Sequence, residues 1–241
     1  YIFYRDRQLG RSWWDLAVNY SDNSDGQLSS LQLTRPFYSL DTRWAAGVSA
    51  SDDLRVDSRY DLGDVIDEYE VSRTYASVFW GQSKGLQDGW VRRYTVGFTY
   101  DDSSFGSAPG VDPPRLLPRD RKLAYPWVAA EWLQDEFQTA LNRDQIERTE
   151  DFSLGWRGRA SLGLASSSLG SDRNAAILSG GVAKGLSLSN RQTLLLDANV
   201  SSRLEGGSIA NGLLSGEARY YFRQSPRRLF FLGFAATAGS N

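Results

Sequence analysis

The stretch Trp14-Asp15-Leu16-Ala17-Val18-Asn19-Tyr20 puts Trp14, Leu16, Val18 and Tyr20 at alternate positions, with Asp15, Ala17 and Asn19 between them. Side chains of a strand point to opposite faces in turn, so this segment has one apolar side and one polar side. Leu194, Leu196, Ala198 and Val200 repeat the pattern against Asp197, Asn199, Ser201 and Arg203. About eleven such stretches follow one another, and none carries the 3.6-residue period of a helix. They run for about 10 to 17 residues, whereas soluble strands average about 5 to 6 and membrane-crossing strands need about 9 to 11. Long alternating strands with aromatics near their ends predict an all-β fold, a transmembrane antiparallel up-and-down β-barrel with lipid against the apolar side and a wet lumen. A large soluble sandwich is the competing architecture, with turns expected every 8 to 12 residues or so.

Composition narrows the function. Hydrophobic residues make up 41% of the chain and mean hydropathy is -0.44. No run of about 18 uncharged apolar residues offers a membrane helix, but a barrel needs only alternate residues to be apolar. Lys plus Arg is 27 and Asp plus Glu is 29, a balance that argues against a nucleic-acid partner. Cysteine is absent, which excludes disulfides, thiol catalysis and cysteine-ligated metals. Histidine is absent too, which excludes a Ser-His-Asp hydrolase and a His-ligated zinc site within the chain. The expectation is a protein that is not an enzyme and carries no cofactor. The chain opens at Tyr1 rather than Met and stops at Asn241 directly after an apolar run, so it is expected to be processed or partial.

The predicted strands are 11–20, 27–35, 42–58, 68–81, 90–100, 122–141, 151–164, 174–186, 192–203, 209–222 and 228–239. Residues 122–141 are taken as one long strand, a hairpin near Gln134-Asp135 being the alternative. An acidic loop lies at 60–67. The longest loop, 101–121, holds Pro109, Pro113, Pro114 and Pro118 and cannot pair as a central strand. The short connections 36–41, 83–89, 142–150, 187–191 and 224–227 fall on one side, which is predicted to be periplasmic.

Arg157, Arg159, Asp197, Arg203, Glu217 and Arg219 fall on predicted lumen faces. They either anchor an inserted loop or line a conduit, or they are the polar filling that any such interior needs. Trp13, Trp44, Trp80, Trp90, Tyr100, Trp156 and Tyr220 read as aromatic girdles at headgroup level, together with Phe79, Trp127, Trp132 and Tyr221. Asp52, Asp53, Asp61, Asp64, Asp67, Glu68 and Glu70 form an acidic strip. That strip is either a solvated loop or a place for divalent cations that bridge lipopolysaccharide.

Three stretches carry a family resemblance: Leu33-Thr34-Arg35-Pro36-Phe37-Tyr38-Ser39-Leu40-Asp41-Thr42-Arg43-Trp44, Arg92-Arg93-Tyr94-Thr95-Val96-Gly97-Phe98-Thr99-Tyr100, and Thr149-Glu150-Asp151-Phe152-Ser153-Leu154-Gly155. In order and spacing the chain resembles the outer-membrane assembly and translocation barrels of the bacterial surface antigen superfamily. The resemblance implies a barrel of about sixteen strands, periplasmic domains upstream, and an Arg-Gly-aromatic loop after the eleventh strand. No such motif occurs here, the only Arg-Gly being Arg157-Gly158. The chain is therefore expected to be a single barrel domain over 1–241, incomplete at its C-terminal end, from the outer membrane of a Gram-negative bacterium.

The function implied is insertion or translocation of polypeptides. The first strand, with Trp14, Leu16, Val18 and Tyr20, would be a lateral seam that templates an incoming strand. Expected partners are outer-membrane lipid, lipopolysaccharide, client polypeptides, and periplasmic domains or accessory proteins. A secretion pore or porin-like channel, or the membrane anchor of a larger fused protein, is the alternative.

Overall fold

The structure is a computed structural model that describes residues 1–141, 148–225 and 227–240. Its strands are β1 (Ile2–Asp6), β2 (Asp15–Asn23), β3 (Gly26–Arg35), β4 (Trp44–Asp61), β5 (Asp64–Gln87), β6 (Trp90–Ser107), β7 (Arg121–Gln134), β8 (Phe137–Leu141), β9 (Thr149–Ser153), β10 (Arg157–Ala165), β11 (Ala175–Ser189), β12 (Gln192–Glu205), β13 (Ser208–Ser225) and β14 (Arg228–Ser240). Twelve of them form one antiparallel sheet in chain order, β1 to β7 and then β10 to β14, while β8 and β9 pair with each other. The only helical pieces among the described residues are two 3-10 turns of three residues each, Leu9–Arg11 and Ser167–Leu169. The all-β, up-and-down architecture expected from the alternation is therefore present.

Neighbouring strands are joined largely by tight turns. Leu62-Gly63, Asp88-Gly89 and Gly206-Gly207 all have positive φ at both positions, or between +50° and +97°. That is the geometry whose twist matches paired antiparallel strands.

Register sorts the side chains. Val48 pairs with Val78 and Val78 with Phe98; Val96 pairs with Val128, Val128 with Leu162, and Leu162 with Leu178. One residue away, Ser49 pairs with Ser77, Ser77 with Thr99, and Ser161 with both Ala129 and Ser179. The first face is an apolar band open to the surroundings, with Val78 52%, Val96 51% and Val128 55% exposed. Contiguous exposed apolar surface of this kind is unusual on a water-soluble protein, and it suits lipid. A slip of one residue would exchange the two faces, so the contrast between them fixes the register.

The other, inner face is tiled by aromatics over glycines. A Cβ on Gly97 would come within 2.5 Å of the Trp127 indole, one on Gly47 within 2.6 Å of Phe79, and one on Gly163 within 2.6 Å of Tyr125. Trp127 Nε1 donates to Thr99 Oγ1 at 3.0 Å, which fixes the indole flat on the sheet. Phe79 and Trp127 are thus inner-face residues rather than girdle members. Tyr221 is a third, 2% exposed and packed on Phe152 at a centroid distance of 6.1 Å.

Other expectations change as well. The sheet has twelve strands rather than about eleven, because the short β1 pairs with β2 from Ile2↔Tyr20 to Asp6↔Leu16. The expected single strand over 122–141 breaks at Asp135-Glu136. The Asp135 amide donates to the Gly89 carbonyl at 2.8 Å, and the Leu154 and Gly155 amides both donate to the Glu136 carbonyl. Beyond that break, β8 and β9 pack against the inner face. Thr193 Oγ1 donates to Gln138 Oε1 at 3.2 Å, and Gly185 faces Leu154 so closely that a Cβ would sit 2.7 Å from its Cα. The expected turn at 142–150 lies mostly outside the described residues. The expected acidic loop is instead the tip of the β4–β5 arm, and the loop after β6 shortens to 108–120. Two-residue turns occur at both ends of the sheet, so turn length does not distinguish the ends. The long arms of β4, β5 and β6 do.

Candidate functional site: the inner wall and the sheet edges

Arg157, Arg159, Asp197, Glu217 and Arg219 all stand on the inner face, brought there by register. Arg157 is opposite Ala183, Ala183 opposite Asp197, and Asp197 opposite Glu217; Arg159 and Arg219 follow two residues along their strands. Arg159 Nη2 donates to Asn199 Oδ1 at 2.7 Å, and Asn199 donates to Asp197. Arg219 Nε lies 3.1 Å from Glu217 Oε1. These side chains border two adjoining cavities. One, of about 240 Å³, is lined by Glu131, Arg157, Arg159, Asp197 and Asn199. The other, of about 480 Å³, lies between the sheet and the β8–β9 pair and is lined by Phe152, Arg157, Asp197, Glu217 and Arg219. Arg203 does not join this group; it donates to Glu205 at the far end of β12.

One member of the wall was not legible in the sequence. Arg93 Nη1 donates to Glu131 Oε2 at 2.8 Å and Nη2 to the Ser39 carbonyl at 3.1 Å, while its guanidinium sits 4.9 Å from the centre of the Phe37 ring. The 36–43 segment thereby turns inward. The alternation of β6 places Arg93 on the polar face, but its partners come from β7 and from the segment after β3, which only the fold brings together. Asp197 directly opposite Glu217 is a like-charge pair that costs stability on its own. The nearby Arg157, Arg159 and Arg219 offset it. The arrangement can hold and orient polar or charged segments. No group of metal-ligating side chains occurs among the described residues.

The edges are β1 and β14, the two ends of the sheet order. Trp14 precedes β2, while Leu16, Val18 and Tyr20 lie within it, flanked by β1 on one side and β3 on the other. The expected seam strand is therefore one strand in from the edge. β1 is stapled to β2 by a bidentate clamp, Arg5 Nε to Asp15 Oδ1 at 3.0 Å and Nη2 to Oδ2 at 2.5 Å. β14 is open on both faces, with Phe231 52%, Leu232 58% and Phe234 67% exposed.

Of the girdle residues, Trp44 opens β4, Trp90 opens β6, and Trp156 immediately precedes β10; Trp13 and Tyr220 lie toward the same end. Trp13 stacks on Tyr38 at 4.0 Å. Trp80 is further in, opposite Ala46 and Val96. Tyr100 shares the outer face of β6 with Trp90, about ten residues on. At about 3.3 Å per residue and a tilt of about 40°, that separation spans about 25 Å, the height of a barrel's apolar band. The long arms project beyond it. There Asp67 accepts from Arg59 and, at 3.0 Å, from the Arg115 amide, tying the 108–120 loop to β5. The rest of the acidic strip lies on this arm.

No family profile matches this sequence, and no curated protein matches it. Its structure is similar to that of BamA from Haemophilus ducreyi lacking POTRA domains 1-3, with a TM-score of 0.56 at 12% identity, over 95% of this chain and 52% of that one. The chain spans about half the length of that structure. At this identity the likeness is one of fold.

Proposed function

We propose that this chain is a β-barrel of the bacterial outer membrane that helps insert or translocate other polypeptides. The observation that carries the reading is a sheet with an apolar outer face and a polar inner face, folded like BamA. An open strand edge presents unpaired amides and carbonyls in a row, and an incoming client strand can pair with them. No covalent step is needed. The edge moves from the strand holding Leu16, Val18 and Tyr20 to β1, with β14 at the opposite end. Outer-membrane lipid and lipopolysaccharide are the surroundings in this reading. Periplasmic domains or accessory proteins would deliver the client, and the aromatic end would face the periplasm.

These 241 residues contain no cysteine, so introduced ones are distinguishable within them. Single cysteines at Phe3, Tyr4, Leu232 and Phe234 are paired in turn with single cysteines in a nascent outer-membrane strand, in whole cells. Disulfides in one register at β1 or β14 support the reading, and their absence at every position on both strands overturns it. A conducting channel is the competing reading, favoured by the polar inner face alone. Steady single-channel conductance without any client adduct would establish it.

A further inference from the structure

The strongest unassigned feature is on the outer face at the aromatic end. Lys84 and Arg92 both border one cavity of about 350 Å³, together with Gln82, Gln87, Trp90 and Tyr94. Among the described residues neither the Lys84 ammonium nor the Arg92 guanidinium has a hydrogen bond or ion pair. Elsewhere on this rim two cations lie by rings: Arg35 is 3.7 Å from the centre of Trp44, and Lys184 is 5.8 Å from that of Trp156. Trp132 pairs with Arg92 across β6 and β7 and extends the aromatic border.

The cavity is built rather than incidental. The β5–β6 ladder breaks register between Ser83 and Leu86. Gly85 takes φ +72°, and its amide donates to Ser83 Oγ at 3.0 Å. The Ser83 amide donates to the Arg43 carbonyl at 2.9 Å, and the Arg43 side chain donates to the Lys84 carbonyl. Asp41 packs against Gly85 and does not line the cavity. On the other side the Asp88-Gly89 turn is fixed by the Asp135 amide. This bulge aims two cations outward from a rigid frame. Arg92 is two residues into β6 from Trp90, a depth of about 5 Å at the usual rise and tilt. That is headgroup depth, where a long basic side chain meets phosphate and aromatic rings are at ease.

We propose that this bulge is a binding site for the phosphate headgroup of an anionic phospholipid in the leaflet at the aromatic end. Lys84 and Arg92 would hold the phosphate, Gln82 and Gln87 the glycerol oxygens, and Trp90 and Tyr94 the start of the acyl chains. The inference rests on the membrane reading above, and its test separates the two. The full chain, purified from membranes in detergent, is reconstituted with phosphatidylglycerol or with phosphatidylcholine, and lipid retained on the protein is counted by native mass spectrometry. A preference for phosphatidylglycerol of about fivefold per cation is expected. It should be lost in K84Q/R92Q, kept in K84R/R92K, and kept in R115Q/R119Q at the far end. The single variants K84Q and R92Q, each weakening the preference, carry the test should the pair not fold. Equal retention of the two lipids, or a preference untouched by K84Q/R92Q, overturns the site while leaving the membrane reading standing. Failure to co-float with vesicles of either lipid overturns both.

Discussion

Val48 and Ser49 are neighbours in β4 and live in different solvents. Val48 looks outward and pairs with Leu33 and Val78, and it is 43% exposed. Ser49 looks inward and pairs with Gln32 and Ser77, at the edge of a cavity of about 520 Å³. In a water-soluble sheet the exposed face would be the polar one. Here the exposed face is apolar and the polar residues line the cavities. The difference teaches that the chain is folded for two media at once, with the period-two alternation as the boundary between them.

The largest expected effect breaks this comparison directly. Val48→Arg should cost about 2 to 4 kcal/mol of folding stability in lipid, because a guanidinium near mid-band must thin the bilayer or snorkel to its edge. Ser49→Arg should cost about 0 to 1 kcal/mol, since the inner cavity admits a hydrated charge. Urea titration of the protein folded into phosphatidylcholine vesicles, followed by tryptophan fluorescence, measures both. Equal losses for the two variants would mean that the band does not face lipid.

A second, smaller effect sharpens the inner face. Gly97 lets the Trp127 indole lie on the sheet, and a Cβ there would also come within 2.6 Å of the Val78 carbonyl. Gly97→Ala should therefore destabilise by about 1 to 3 kcal/mol, the usual cost of overpacking. Trp127→Phe in the same chain should restore part of the loss. A double-mutant cycle in the vesicle assay reads that coupling, and strict additivity would show that the ring and the glycine do not share the space.

That pair also shows where sequence reading stops. The period-two pattern of β2, β4, β6 and β12 is local, so each strand and the side its residues face are visible in one stretch of chain. Arg157, Arg159, Asp197, Glu217 and Arg219 could be assigned to the inner face for that reason. What Trp127 does depends on Gly97 in another strand, and the register that joins them is set by the whole sheet. Read alone, Trp127 and Phe79 look like girdle residues. β1 does not show in the sequence because Ile2–Asp6 is too short to display a period. The break at Asp135-Glu136 is visible in the sequence only as the alternative near Gln134-Asp135, because its cause, the carbonyl of Gly89, is remote in sequence. The Lys84 bulge is of the same kind, since the Arg43 backbone that braces it belongs to another segment.

The smallest effect uses a charge that neither face claims. Asp172 lies in the connection between β10 and β11, outside the strands, where Arg173 Nη2 reaches Oδ2 at 2.7 Å. The hydrogen bond from Arg173 holds this carboxyl below its ordinary pKa, against the opposing effect of partial burial. A carboxyl depressed on folding stabilises the protein above its unfolded value, near pH 4. That contribution fades as pH falls through the lower folded value. Because the pair lies at the surface and is only partly covered, Asp172→Asn should cost less than about 1 kcal/mol at pH 7. Wild type and variant should converge once the pH has fallen through the lowered folded value, where the carboxyl is neutral in both states. Urea midpoints taken between pH 7 and pH 3 measure the gap. If Asp172→Asn cost as much as Val48→Arg, solvation by lipid would not be what separates the band from the rest of the surface. A gap that closes with acid, and stays small above it, places this rim in water and leaves the band as the part of the sheet that water does not reach.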